Sequence, residues 1–291
     1  AGHVASGFAD VAIGAGVESI SMVQPVVAKT TVPEKRLLKT FPALWMPMIE
    51  TADILAKRYD VSREDCDAYA LECQKRTAHA QSSGFYEHEI VPMDTIMTVK
   101  DKEKGTSEDI KYTVSKDECN RPSTTLESLQ GLQPVRGEDD PHATVTAGNA
   151  SQLSDGAAAC VVMDGDLASK RGVEPLGIFK GYAVAGCAPD EMGVGPVHAV
   201  PKLLSRSGLT VDDIDLWEIN EAFACVPLYA MRELGIDPQK ANVNGGSIAI
   251  GHPFGMTGAR QVGHILLEGQ RRKAKHVVVV SSVSTSVMKA R

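Results

Sequence analysis

Short apolar runs alternate with amphipathic stretches along most of this chain, and the alternation predicts its elements. Residues 10–16 and 157–163 are compact runs of Val, Ile, Ala and Gly, the pattern of buried strands, the first delivering the chain to a tight glycine turn. Further strands are expected over 176–185, 216–219 and 276–282, with helices near 197–207, 222–233 and 258–272. Strands and helices taking turns in this way predict an α/β architecture with largely parallel sheets. The stretch 25–145 differs. It is richer in charge, with amphipathic helices over 48–59 and 62–83, the second opened by Ser62 and Asp65 in the manner of a capping box. Short strands are expected at 89–92 and 110–114, flanking a polar loop over 100–108. The segment therefore reads as an insertion between strands of a first sheet. A fainter echo, a Gly-His helix and then a Val-rich strand at 2–16 and again at 263–282, hints at a duplicated design.

Composition narrows the partners. The chain has 291 residues, 43% of them hydrophobic, with 30 Lys+Arg against 37 Asp+Glu for a net charge of −7. That apolar content excludes a disordered chain. The acidic balance gives no electrostatic reason to expect nucleic acid or an anionic membrane as partner, and aromatics at 5% are too few for base-stacking platforms. Six cysteines, at 66, 73, 119, 160, 187 and 225, form no Cys-x-x-Cys pair. They read as small buried hydrophobes in a reducing compartment, the cytoplasm being favoured, and no metal site is expected. Residues 1–7 read as the end of a helix already under way, so the N-terminus is expected to be truncated, with no signal peptide in view.

Three loops carry candidate chemistry. In Asn242-Val243-Asn244-Gly245-Gly246-Ser247-Ile248-Ala249-Ile250-Gly251-His252-Pro253, glycines surround one His just before a helix. Glycine lets a ligand approach the main chain, and a fixed imidazole there suits general-base work or oxyanion donation; the plain alternative is a loop His bonded to a carbonyl. In Trp217-Glu218-Ile219-Asn220-Glu221-Ala222-Phe223-Ala224, Asn220 is either a helix N-cap or an amide that orients a water or binds a carbonyl oxygen. In Thr146-Ala147-Gly148-Asn149-Ala150-Ser151, Ser151 either donates to a ligand carbonyl or caps a turn.

Taken in order, with Gly16-Val17-Glu18-Ser19-Ile20-Ser21, these motifs resemble the thiolases, the acetyl-CoA acetyltransferases and 3-ketoacyl-CoA thiolases, from about residue 1 to about residue 280. The resemblance implies the thiolase fold: two similar α/β halves layered αβαβα, the first incomplete here and carrying an inserted loop domain. On that reading 1–24 and 146–170 are the remnant of the N-terminal half, 25–145 is the loop domain that covers CoA, and 171–291 is the C-terminal half. It implies acyl transfer between CoA thioesters, by thiolytic cleavage of a 3-ketoacyl-CoA or the reverse condensation, through an acyl-Cys intermediate. His252 would activate the nucleophile and line the oxyanion site, and Asn220 would fix a water in an oxyanion hole. Ser151, Ala150, Gly251 and Phe223 would lie along bound CoA. CoA thioesters are then substrates, no further cofactor is implied, and the family forms homodimers or homotetramers.

Three departures accompany the resemblance. The family's nucleophilic Cys turn would fall before Ala1, and its acid–base Cys at about Ser282, where no Cys-x-Gly-Gly-Gly turn follows. The last dozen residues depart from the family, so the closing strand of the second sheet is expected to be missing and the chain to be inactive alone. A non-catalytic CoA-binding or scaffold protein is the competing reading. Finally, Trp45-Met46-Pro47-Met48-Ile49-Glu50 has no His, which points away from the acetoacetyl-specific group.

Overall fold

The computed structural model describes residues 1–30, 32–101, 105–281 and 284–290. The chain opens with the single-turn helix α1 (Gly2–Ala5) and strand β1 (Val11–Ser19), then α2 (Ile20–Thr30), α3 (Lys35–Thr40), α4 (Met48–Arg58) and α5 (Arg63–Ser82). A hairpin of β2 (Met93–Asp101) and β3 (Thr106–Val114) follows, then α6 (Leu126–Gln130), β4 (Asp155–Met163), α7 (Gly165–Lys170) and β5 (Gly177–Val184). The remainder is α8 (Gly195–Ser207), β6 (Leu216–Ile219), α9 (Cys225–Leu234), α10 (Ser247–Ile250), α11 (Phe254–Arg272), β7 (His276–Val280) and β8 (Ser284–Ala290).

Helix α5 starts where its sequence says. The Ser62 hydroxyl oxygen accepts from the Asp65 N–H at 3.0 Å, and the Asp65 carboxylate takes the Ser62 hydroxyl proton at 2.7 Å. Only the first half of a capping box is thus built. The segment 89–92 is not a strand. Pro92 cannot donate to a ladder, so pairing begins at Met93, and much of the expected polar loop 100–108 is paired strand.

The sheets correct the expectation of parallel strands. One four-stranded sheet has the order β5-β8-β7-β6, and only β6 and β7 run parallel. The reason lies in the connections. Three helices separate β6 from β7, long enough for a crossover, whereas β7 and β8 are too close in sequence for anything but an antiparallel return. β1 and β4 form a separate antiparallel pair, from Val11 opposite Met163 to Ser19 opposite Asp155.

The closing strand expected to be missing is present. β8 sits between β5 and β7, with Thr285, Val287, Met288 and Ala290 buried. Its β-branched and apolar residues satisfy the demands of a central strand whatever they lack in turn chemistry. Ser282, at the expected position of the acid–base Cys, lies outside the described residues.

Two large hydrophobic clusters, with smaller ones beside them, hold the molecule. Leu55, Ala70 and Cys73 of α4 and α5 pack with Val226, Tyr229, Ile248 and Ala249 of α9 and α10. Leu203 of α8 packs with Trp217, Ile219, Val278, Val280 and Val287 of the four-stranded sheet. Against the two-stranded sheet, α11 lies almost backbone to backbone. A Cβ on Gly16 would overlap the Gly255 carbonyl, and one on Gly255 would stand 2.6 Å from Val17 O. The far side of that sheet is bare, which corrects the reading of 10–16 and 157–163 as buried strands: Ile13, Val17 and Val161 are 70%, 73% and 64% exposed.

Candidate active site

The three candidate loops meet. Ala150 and Phe223 form an antiparallel bridge, and the Ser151 N–H donates to Ala222 O at 3.0 Å. On the other side the His252 N–H donates to Gln152 O at 3.3 Å. Residues 149–152 are thereby held between the Asn220 loop and the His252 loop. All six positions singled out in the sequence, Ala150, Ser151, Asn220, Phe223, Gly251 and His252, stand in one neighbourhood. The strip is pinned to α5 as well, through Asn149 Nδ2, which donates to Asp67 Oδ1 at 2.9 Å.

Asn220 is not a helix cap. Helix α9 begins five residues later, with Ala224 as its cap. The carboxamide is instead buried, with Nδ2 3.2 Å from His252 Nε2 and Oδ1 accepting from the Ser247 hydroxyl at 2.8 Å. His252 Nδ1 lies 2.7 Å from Thr257 Oγ1. Both ring nitrogens are therefore engaged by side chains, and the plain reading of a loop His bonded to a carbonyl is replaced by a clamped imidazole.

Burial pulls the His252 imidazole down to a pKa of about 4, and the positive charge of Arg260 adds to the effect. Arg260 is itself held by Glu218, Nη1 to Oε2 at 3.3 Å. Burial lifts the Glu218 carboxyl above its ordinary range, against the pull of Arg260. At neutral pH the ring carries no charge, so one ring nitrogen keeps a lone pair that can take a proton.

Gly251 sets the entrance. Its φ is +103°, and a Cβ there would collide with Ser154 Oγ, so only glycine delivers the chain to His252 along this path. Behind the site, Glu221 is completely buried and accepts four bonds. Tyr69 Oη and Asn242 Nδ2 reach Oε1 at 2.6 and 2.7 Å, and Cys73 Sγ and the Ile248 N–H reach Oε2, both at 3.1 Å. This carboxylate ties the Asn220 loop to α5, to Asn242 and to α10. A cavity of about 410 Å³ adjoins it, lined by Tyr69, Cys73, Arg76 and Asn242 but by neither Asn220 nor His252.

The six cysteines are free, and burial raises every one. Cys66 is pushed up to about 12, Cys73 and Cys225 well above the ordinary thiol, and Cys119, Cys160 and Cys187 also upward. None is an activated thiolate. Among the described residues no group of His, Cys, Asp and Glu is placed to hold a metal ion, and no helix is long and apolar enough to cross a membrane.

Sequence reasoning missed Ser247, Thr257 and Glu221 as parts of the site. Each stands inside or beside a motif that was noticed. The available signal was a hydroxyl or carboxylate among glycines and apolar residues, where it must be buried and so must have a partner.

The family description "Thiolase, N-terminal domain" matches residues 1–166 and "Thiolase, C-terminal domain" matches 173–290. A 3-ketoacyl-CoA thiolase of Bacillus subtilis is 43% identical, over 94% of this chain and 69% of its own length. The human peroxisomal 3-ketoacyl-CoA thiolase is 43% identical, over 97% of this chain and 64% of its own. The chain thus spans about two thirds of the length of these curated relatives. The crystal structure of human mitochondrial 3-ketoacyl-CoA thiolase in complex with CoA superposes with a TM-score of 0.84 at 36% identity, covering 100% of this chain and 73% of that one. With both thiolase domains matched, over residues 1–166 and 173–290, the chain belongs to the thiolase family.

Proposed function

We propose that this protein works as a 3-ketoacyl-CoA thiolase, moving acyl groups between CoA thioesters, and that His252 and Asn220 handle the thioester carbonyl. The observation that carries this reading is the clamped, uncharged imadazole beside a buried carboxamide. A neutral Nε2 takes the proton of an incoming thiol, and once protonated it becomes a donor to the oxygen on which negative charge develops. The second N–H of Asn220 has no partner among the described residues and supplies a further donor, directly or through a water. CoA would lie along Ala150, Ser151, Phe223 and Gly251, where glycine and small side chains leave the backbone approachable. The segment 25–145 would cover it.

The covalent steps need sulfur. None of the six raised thiols suits them, and Ser282 stands where the family places its acid–base Cys. A serine hydroxyl does not shuttle protons near neutral pH without a base of its own. The 291-residue chain is therefore expected to bind CoA thioesters without turning them over. Calorimetric titration with acetyl-CoA tests binding, and loss of acetoacetyl-CoA in the presence of CoA tests thiolysis. Binding that His252→Ala weakens about tenfold, with no thiolysis, is the expected result. Turnover by this chain would refute the sulfur argument, and absence of binding would refute the assignment of the cleft to CoA.

A further inference from the structure

The hydrogen bonds around His252 extend past the pair that, on the proposed reading, handles the carbonyl, His252 and Asn220. Four side chains form a line: Ser247, Asn220, His252 and Thr257. Ser247 Oγ is 2.8 Å from Asn220 Oδ1, Asn220 Nδ2 is 3.2 Å from His252 Nε2, and His252 Nδ1 is 2.7 Å from Thr257 Oγ1. Thr257 Oγ1 also lies 3.0 Å from Pro253 O, four residues back on α11. Ser247, Asn220 and Thr257 are all buried, so each proton in the line must find an acceptor inside the protein.

Thr257 Oγ1 donates its single proton to Pro253 O, which also accepts the Met256 and Thr257 N–H groups, and Thr257 Oγ1 then accepts from His252 Nδ1–H. A neutral ring protonated at Nδ1 has its lone pair at Nε2, which accepts from Asn220 Nδ2. The Asn220 carboxamide is then oriented with Oδ1 toward Ser247, whose hydroxyl donates to it. Every donor in the line meets an acceptor except the second Asn220 N–H, which is left for a ligand or a water.

The opposite arrangement fails at the Ser247 end. Flipping the Asn220 amide turns Nδ2 toward Ser247 and strands the Ser247 proton, for which Asn220 Oδ1 is the acceptor among the described residues. It also presents Oδ1 to His252 Nε2, demanding a proton there and a bare Nδ1. Thr257 would have to release Pro253 O to donate to that nitrogen. A buried polar group left without its partner is costly, and the flip creates one at the Ser247 end of the line.

We infer that Ser247 is a positioning residue: by donating to Asn220 Oδ1 it fixes the carboxamide orientation and, through it, the Nδ1–H form of His252 that leaves Nε2 basic. Thr257 holds the same form from the other side. Ser247 touches no reacting atom. Its work is to select one of two hydrogen-bond patterns, the one in which His252 can accept a proton and Asn220 can donate to an oxyanion.

The test is nitrogen-15 NMR of the histidine rings, assigned by comparison with His252→Ala. The expected spectrum of the parent chain at pH 7 has His252 protonated at Nδ1 and bare at Nε2. Ser247→Ala should shift the ring toward a mixture with the Nε2–H form and weaken acetyl-CoA about fivefold more than CoA itself, because only the thioester carbonyl uses the pair. Ser247→Thr, which keeps the hydroxyl, should restore both readouts. Thr257→Val should release the ring from its other end, giving a second route if Ser247→Ala does not fold. A parent spectrum showing Nε2–H overturns the inference outright, as does a Ser247→Ala ring identical to the parent. If the parent binds no CoA thioester while the ring behaves as described, the functional reading fails and the positioning role of Ser247 stands.

Discussion

At the scale of single residues, the property with the widest consequence is the lowered basicity of His252. Its folded-state pKa is about 4 against an ordinary 6.5, so between those values the unfolded chain binds a proton that the folded chain does not. Stability therefore rises with pH across this window. The contribution is complete above about pH 6.5 and fades as pH falls toward 4. Since each pKa unit corresponds to about 1.4 kcal/mol, moving from pH 7 to pH 5 should remove roughly 2 kcal/mol through this one ring. Urea unfolding at the two pH values, repeated on His252→Asn, isolates it: the variant should show a shallower dependence, and equal slopes would refute the assignment. The sequence revealed His252 because glycines crowd around it. Asn220 was left between two roles, since a strand followed by Asn and then a helical pattern reads equally well as a cap. Only the distance of α9, which starts at Cys225, and the partners of the amide decide it.

At the scale of elements, α11 is the piece that joins the two sheets' territories and carries the site. Its N-terminal end bears His252 just upstream and Thr257 and Arg260 on its first turns. Its outer course packs on β1 and β4, where Ala12, Gly14, Gly16, Ala158 and Cys160 present a floor of small side chains. Cys160 Sγ even reaches Ala259 O, at 3.1 Å. Gly16 and Gly255 make the closest approach, so Gly16→Val should push α11 away. Overpacking of this kind costs about 1–3 kcal/mol, and here it should also move His252. A fall in melting temperature together with weakened acetyl-CoA binding is the expected outcome, and a variant that loses stability without losing affinity would separate α11 from the site. Strand and helix positions were legible because period and length agree with burial over most of the chain. Strand direction was not. Alternation of strands and helices suggested parallel pairing, yet the short β7–β8 connection forces an antiparallel return, and β1 and β4, far apart in sequence, pair antiparallel as well. The same local blindness hid β8, whose Ser-Thr-Ser-Val run was judged by the turn chemistry it lacks rather than by its fitness to fill a gap between β5 and β7.

At the scale of the whole molecule, the two sheets differ in how they meet solvent. In the four-stranded sheet β6, β7 and most of β8 are buried and the edge strand β5 is largely exposed, while the β1–β4 pair is covered by α11 on one side only. The register places Val11, Ile13, Ala15 and Val17 opposite Met163, Val161, Ala159 and Ala157, and directly opposed residues share a face. That face is the open one, with Ile13 and Val17 70% and 73% exposed. The uninterrupted apolar runs in the sequence anticipate burial on both faces, as such runs do, and within these 291 residues that demand is unmet. An apolar face beside unpaired strand edges favours association between copies. A net charge of −7 opposes this weakly, because salt screens repulsion beyond about 8 Å at physiological ionic strength. Replacing Ile13, Val17 and Val161 together by Thr keeps β-branched side chains suited to strands and removes the three most exposed large apolar side chains of this face. Exposed positions of this kind change stability by about 0.5 kcal/mol or less each, so circular dichroism and melting temperature should stay close to those of the parent. Light scattering at equal concentration should then report a lower apparent mass for the triple variant, and an unchanged mass would show that this face does not drive association.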